Sequence, residues 1–248
     1  MQLREMIPEV DTHTHTVLSG HAWSTLTENC LAAKKRGMKG LCLTEHAPGI
    51  ECGAPAFIPH SQRMLPDVIE GIRVYKGVEM NILDHQNDVD IPPHYLKLCE
   101  FVIASIHTHM FPERADREAN TATYLEMLRN PWVDILGHAD DPSVPCEFEA
   151  LVAEAKRQGK LLELNNNSTT PHRPGSLLSL KAYILCCKEN RQRVCVASDA
   201  HFHTMVGSVT PLMTLLDELE FPQELIVNLY QERFEGYLQE REARLEGL

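Results

Sequence analysis

The stretch Val10-Asp11-Thr12-His13-Thr14-His15 closes the first apolar run of the chain with two imidazoles, and the rest of the sequence repeats that ending. His46 comes soon after the run 40–43, Glu79 follows 74–78, His107 follows 101–106 and His138 follows 133–137. Asp199 and His201 close the run 194–198. Histidines scattered through a core would not all fall at these places. A barrel of parallel strands would bring them together, because the loops after its strands converge on the C-terminal rim. Imidazole and carboxylate gathered at one rim suit zinc, manganese or iron. The pattern predicts an α/β fold with a metal cluster at its C-terminal rim.

Working outward, strands are expected over 8–12, 40–44, 74–79, 101–106, 133–137, 160–164 and 193–198. Helical patterns lie at about 25–36, 61–71, 117–129, 147–157 and 176–189, with another at 211–219 that has Thr210 as N-cap and Pro211 at its first position. Strands joined by helical crossovers must run parallel. Seven such units, with no break in composition, make residues 1–248 a single barrel domain. The tail 231–248 reads as a charged helix with pairs such as Glu235–Gln239 and Glu240–Arg244, solvated or touching another subunit. The polar loops 47–60 and 108–117 follow strands on the rim side and are expected to act as substrate lids.

A hydrophobic content of 43% and a charged content of 23% are ordinary for a soluble globular protein. The formal charge of −12 argues against a nucleic-acid partner, which normally needs a basic face. No apolar run approaches ~18 residues, so no membrane span is expected. The opening MQLREMIPEVD has no apolar signal-peptide core. The eight cysteines include no C-x-x-C pair and read as reduced core residues of a cytoplasmic protein.

On an extended strand residues 11, 13 and 15 project to one side, so His13 and His15 can grip one ion while Asp11 orients a ligand. His21 follows in the rim loop Ser19-Gly20-His21. A buried carboxylate is costly unless it is paired or bound to a metal, which marks Glu79 as a ligand able to bridge two ions. Ser105-Ile106-His107, Leu136-Gly137-His138 and Ala197-Ser198-Asp199-Ala200-His201 repeat the placement.

These residues resemble the polymerase-and-histidinol-phosphatase (PHP) superfamily, and within it the YcdX-type phosphatases. The shared pieces are V-D-T-H-T-H, S-x-H-A-W-S-T-L, T-E-H-A-P, G-V-E-M-N, A-S-I-H, L-G-H, L-E-L-N-N and A-S-D-A-H, running from residue 10 to residue 201 in family order. The resemblance implies a distorted (β/α)7, TIM-like barrel with three divalent ions, usually zinc in that family. It gives His13, His15, Glu79 and Asp199 to one ion, Glu79, His107 and His138 to a second, and His21, His46 and His201 to a third. It also suggests a homotrimer. One departure is Glu45, where the family has Asp; if Glu45 accepts a hydrogen bond from the His46 ring, it fixes that ring's tautomer.

Such a cluster would hydrolyse a phosphate monoester of a small phosphorylated metabolite, with a hydroxide bridging two ions as nucleophile. There is no G-x-S-x-G or P-loop pattern to suggest another route. Phosphate capture usually recruits arginine, and Arg173 in the polar segment 164–173 resembles an arginine of the YcdX-type proteins. Asn167, His109 and His203 are further candidate substrate contacts, whereas His60, His85 and His94 read as surface residues. An amidohydrolase for C–N bonds would normally need a bridging lysine, and none ends a suitable strand. A PHP-type nuclease is disfavoured by the charge and by the lack of an appended polymerase domain. A non-catalytic metal buffer fits poorly with a cleft lined by rim loops.

Overall fold

The computed structural model describes residues 2–111, 116–171 and 173–247, so residues 112–115 of the expected lid 108–117 lie outside the described residues. Seven parallel strands form the sheet in the order β1 (Val10–Thr14), β2 (Gly40–Leu43), β4 (Ile72–Asn81), β5 (Phe101–Ser105), β6 (Ile135–Leu136), β7 (Leu161–Asn165) and β8 (Val194–Ala197). This is the expected distorted barrel. The helices α1 (Leu26–Lys35), α4 (Arg117–Arg129), α5 (Phe148–Gln158), α6 (Ser176–Glu189) and α7 (Thr210–Glu218) surround it. Between them fall the short helices α2 (Ile58–Gln62) and α3 (Pro93–Leu96). Helix α1 is opened by a reciprocal capping box between Thr25 and Glu28. Helix α7 has Val209 as its cap residue, so Thr210 is already helical and does not cap it.

The seam between β1 and β8 is closed without a regular ladder. The side-chain amide of Asn228 donates to Val10 O and Val196 O, both at 2.7 Å, and its oxygen accepts from Val196 N at 3.0 Å. Towards the rim, His15 N donates to Ala200 O (2.9 Å) and Ala200 N to His13 O (3.3 Å).

Two elements correct the sequence expectation. The helix expected at 61–71 is replaced by β3 (Val68–Ile69), which pairs antiparallel with β4. Pro66 interrupts the helical pattern, and Glu70 (φ 54°) and Gly71 (φ 86°) make the tight turn that a two-residue hairpin requires. The tail helix α8 (Gln231–Leu245) is not simply a solvated helix. Phe234 and Tyr237 are buried, packing with Val10, Cys42, Tyr75, Phe101 and Leu161, so α8 plugs the N-terminal mouth of the barrel. The spacing of Phe234, Tyr237, Leu238 and Arg241 is that of one helix face. All eight cysteines are unpaired, and seven of them are buried. Among the described residues no helix is long and apolar enough to cross a membrane.

Candidate metal centre

Opposite the α8 plug, the strand ends bring all nine residues of the expected ligand set to one place. His13 Nε2 and His15 Nε2 lie 3.2 and 3.6 Å from Glu79 Oε2. They lie 3.6 and 3.3 Å from Asp199 Oδ1. The other Glu79 oxygen, Oε1, is 3.3 Å from both His107 Nε2 and His138 Nε2. His201 Nε2 stands 2.9 Å from His21 Nε2 and 3.3 Å from His46 Nε2. The second nitrogen of His46, Nδ1, is 2.7 Å from Glu79 Oε2. Glu79 is thus the hub of the cluster. His138 (φ 32°) and Asp199 (φ 52°) both occupy the left-handed region, a strain that tertiary structure must hold in place. Before His138, a Cβ on Gly137 would lie 2.1 Å from Ser105 Oγ, so only glycine allows β5 and β6 to approach here.

The donors fit cations. Despite those short separations, His13 Nε2, His15 Nε2, His46 Nδ1 and Glu79 Oε2 are buried with no hydrogen-bond partner. Three groups, His15-His46-His201, His13-His15-Asp199 and His46-Glu79-His107, each bring ligand atoms within 4.8 Å of one another. Burial alone would raise Glu79, but His13, His46 and His107 outweigh it and hold the carboxyl well below its usual range. Asp199 is likewise held low against burial by His13, His15, His201 and Arg173. Burial would lower the His13 imidazole, yet Glu79, Glu163 and Asp199 together hold it well above its usual value. Burial drives His15 down, aided by His46 and His201, and takes His107 down to about 4. The site therefore joins ionised carboxylates with the His15 and His107 rings, which resist protonation, and the His13 ring, which favours it.

The PHP domain profile matches residues 11–240. The chain belongs to the PHP domain family. A probable phosphatase of Caldanaerobacter subterraneus subsp. tengcongensis is 38% identical over 247 residues, covering 100% of this chain and 96% of its own. One of Acetivibrio thermocellus is 37% identical over 238 residues, covering 95% and 97%. The fold is also that of the histidinol phosphate phosphatase of Lactococcus lactis subsp. lactis, solved with zinc, L-histidinol and phosphate. That pair superposes with a TM-score of 0.59 at 14% identity, covering 86% of this chain and 94% of the other. This PHP domain protein is a phosphatase.

The candidate substrate residues of the PHP domain divide. Arg173 lines a cavity of about 420 Å³ beside His107 and His138, donating from Nη2 to Asp199 Oδ2 at 3.0 Å, while its buried Nη1 has no partner. His109 is exposed and lines the same cavity. Asn167 is engaged elsewhere, donating to Asp199 Oδ2 at 3.0 Å, so it orients the carboxylate. His203 is not brought to the cluster: its Nδ1 is 3.1 Å from Ser24 Oγ, and it lines a groove against α1. His60 and His94 are exposed, but His85 is half-buried, 3.0 Å from Thr123 Oγ1.

The supports differ from expectation. Glu45 does not bond the His46 ring. Its carboxylate accepts from Thr16 N (3.1 and 3.2 Å), Thr16 Oγ1 and Ser19 Oγ. Ser19 Oγ in turn accepts from His46 N at 3.0 Å and lies 3.3 Å from His15 Nδ1. Asp11 also leaves the rings alone, accepting from Ser198 N (3.1 Å), Gly207 N (2.8 Å) and His13 N (3.4 Å). The residue that sequence reasoning missed is Glu163. Its Oε1 is 2.6 Å from His13 Nδ1, and its Oε2 accepts from His138 N (2.7 Å) and Asn165 Nδ2 (3.0 Å). The signal was present, because a carboxylate inside the apolar run 161–164 invites the argument applied to Glu79. Asn81 was likewise unassigned: its Oδ1 lies 2.7 Å from His107 Nδ1, and Asp90 Oδ2 accepts from its Nδ2 at 2.6 Å.

Proposed function

We propose that the protein hydrolyses phosphate monoesters of small metabolites with three divalent cations, zinc foremost, and that manganese and iron are the ions to test beside it. The observation that carries this reading is the convergence of five histidines, His13, His15, His46, His107 and His138, on Glu79, with buried donor atoms left unpartnered by the protein itself. His13, His15, Glu79 and Asp199 would hold one cation, Glu79, His107 and His138 a second, and His21, His46 and His201 a third. Bound divalent cations supply Lewis acidity towards a phosphoryl oxygen and lower the pKa of water. The chain's own part is orientation. Glu163 fixes the His13 ring, Asn81 the His107 ring, and Asn165, Asn167 and Arg173 hold the outer oxygen of Asp199. The free Nη1 of Arg173 is the donor for a substrate phosphate, in keeping with the forked geometry of guanidinium.

A cytoplasmic location and a homotrimer belong to the same reading; light scattering checks the latter. The decisive experiment removes metal with a chelator, counts residual ions, and restores zinc, manganese or iron singly. Phosphate release from simple monoesters should vanish and return with the ion. Full release with metal confirmed absent would end the reading, and ammonia release from amides without phosphatase activity would replace it with a C–N hydrolase.

A further inference from the structure

Resting on that phosphatase reading, the cavity beside His107 and His138 indicates what the phosphate is attached to. It is about 420 Å³ and is lined by His107, His109, His138, Asp141, Ser143 and Arg173 among others. Among the described residues no phenylalanine, tyrosine or tryptophan lines it. Around His21 the chain exposes Val17, Leu18 and Trp23. The leaving alcohol can lie in the cavity beside Arg173.

Asp141 is the one carboxylate lining that space among the described residues. It is held firmly: its N donates to His138 O (3.1 Å), its O accepts from Val144 N (3.0 Å), and its Oδ1 accepts from Ser143 N (2.8 Å) and Oγ (2.6 Å). No described residue donates to Oδ2. A hydrogen-bonded turn tied to His138 thus presents an acceptor to the same cavity that the Arg173 guanidinium lines. Hydroxyl and imidazole groups around it can each both donate and accept.

We propose that the substrate is a polyol phosphate of the sugar type, whose hydroxyls bond Asp141 while its phosphate faces Arg173 and the histidine cluster. A hydroxyl can donate to Asp or accept from an amide, whereas an ammonium can only donate. The two variants Asp141→Ala and Asp141→Asn therefore distinguish the chemistries. The measurement is kcat/KM for glucose 6-phosphate and for phosphoethanolamine, each divided by that for phenyl phosphate, at matched metal content. The sugar ratio should fall at least tenfold in Asp141→Ala and less than about threefold in Asp141→Asn. Bound metal and the melting temperature provide the readout that a misfolded site would move.

An unchanged sugar ratio in Asp141→Ala overturns the proposal. So does a preference for phosphoethanolamine that Asp141→Asn abolishes as fully as Asp141→Ala, which would mark an ammonium site. If the metal-loaded wild type releases phosphate from no ester, the phosphatase reading falls and takes this inference with it. If esters are hydrolysed but the ratios do not move, this inference alone fails.

Discussion

Glu163 carries more of the site than its silence in the sequence suggests, because one carboxylate fixes a ring on β1 and the main chain at His138. Glu163→Gln keeps the shape but weakens both contacts, and loss of a group that orients a metal ligand typically costs about 10–100-fold in metal affinity. Competition titration with a chromophoric chelator should show that loss for the ions served by His13 and His138. Wild-type affinity throughout would reduce Glu163 to a packing residue. The candidate ligands other than His21 stand out in the sequence because each sits at or just beyond a strand end, where period and position are fixed by the chain itself. The partners of Asp11 and Glu45 were not, since each carboxylate is met by groups from elsewhere. Gly207 and Ser198 come to Asp11 across the seam, and the turn at Thr16–Ser19 folds back over Glu45. Glu45 therefore acts on His15 and His46 through Ser19, and its extra methylene over the family's Asp reaches that turn and not the ring.

At the scale of elements, the seven strands were legible from apolar runs, and most helices from their spacing and caps. The hairpin at 68–73 was hidden because its turn needs only two residues of positive φ. Helix α8 was misread because its charges are conspicuous and its apolar stripe is narrow. Its anchor is Asp134, fully buried, whose Oδ2 accepts from Arg241 Nε (2.7 Å) and Val102 N (3.0 Å) and whose Oδ1 accepts from Arg244 Nη2 (2.7 Å). Tyr237 donates to Asp134 O at 3.0 Å. Removing one partner of a buried pair leaves the other charge uncompensated, at a cost of about 3–5 kcal/mol. Asp134→Ala should therefore lower the melting temperature by roughly 6–20 °C, at ~2–4 °C per kcal/mol for a chain of this size. Phosphatase activity per folded molecule should persist, because α8 lies at the far mouth of the barrel. A change under about 1 kcal/mol in denaturant titration would show that the Phe234 and Tyr237 plug holds without the ion pair.

Across the whole molecule, the cluster lies over the join of the barrel that has no regular strand ladder. His13 and His15 come from β1, Asp199 and His201 follow β8, and the backbone between these strands is stitched by Asn228 and a pair of rim hydrogen bonds. Cations shared by both sides would act as a second stitch, and without them the carboxylates and rings there depend on one another alone. Binding to the folded state alone stabilises by RT ln(1 + [L]/Kd), about 4 kcal/mol per ion at a thousandfold excess over Kd. At ~2–4 °C per kcal/mol, loss of even one such ion should lower the melting temperature by roughly 8–16 °C. The location of the loss matters as much as its size. Hydrogen exchange after chelation should quicken first in residues 10–15 and 194–201, on the two sides of the seam, while the α4 and α5 amides keep their protection. Acceleration spread evenly over the barrel, or confined to the outer helices, would mean that the ions do not close the seam and that Asn228 suffices to hold it.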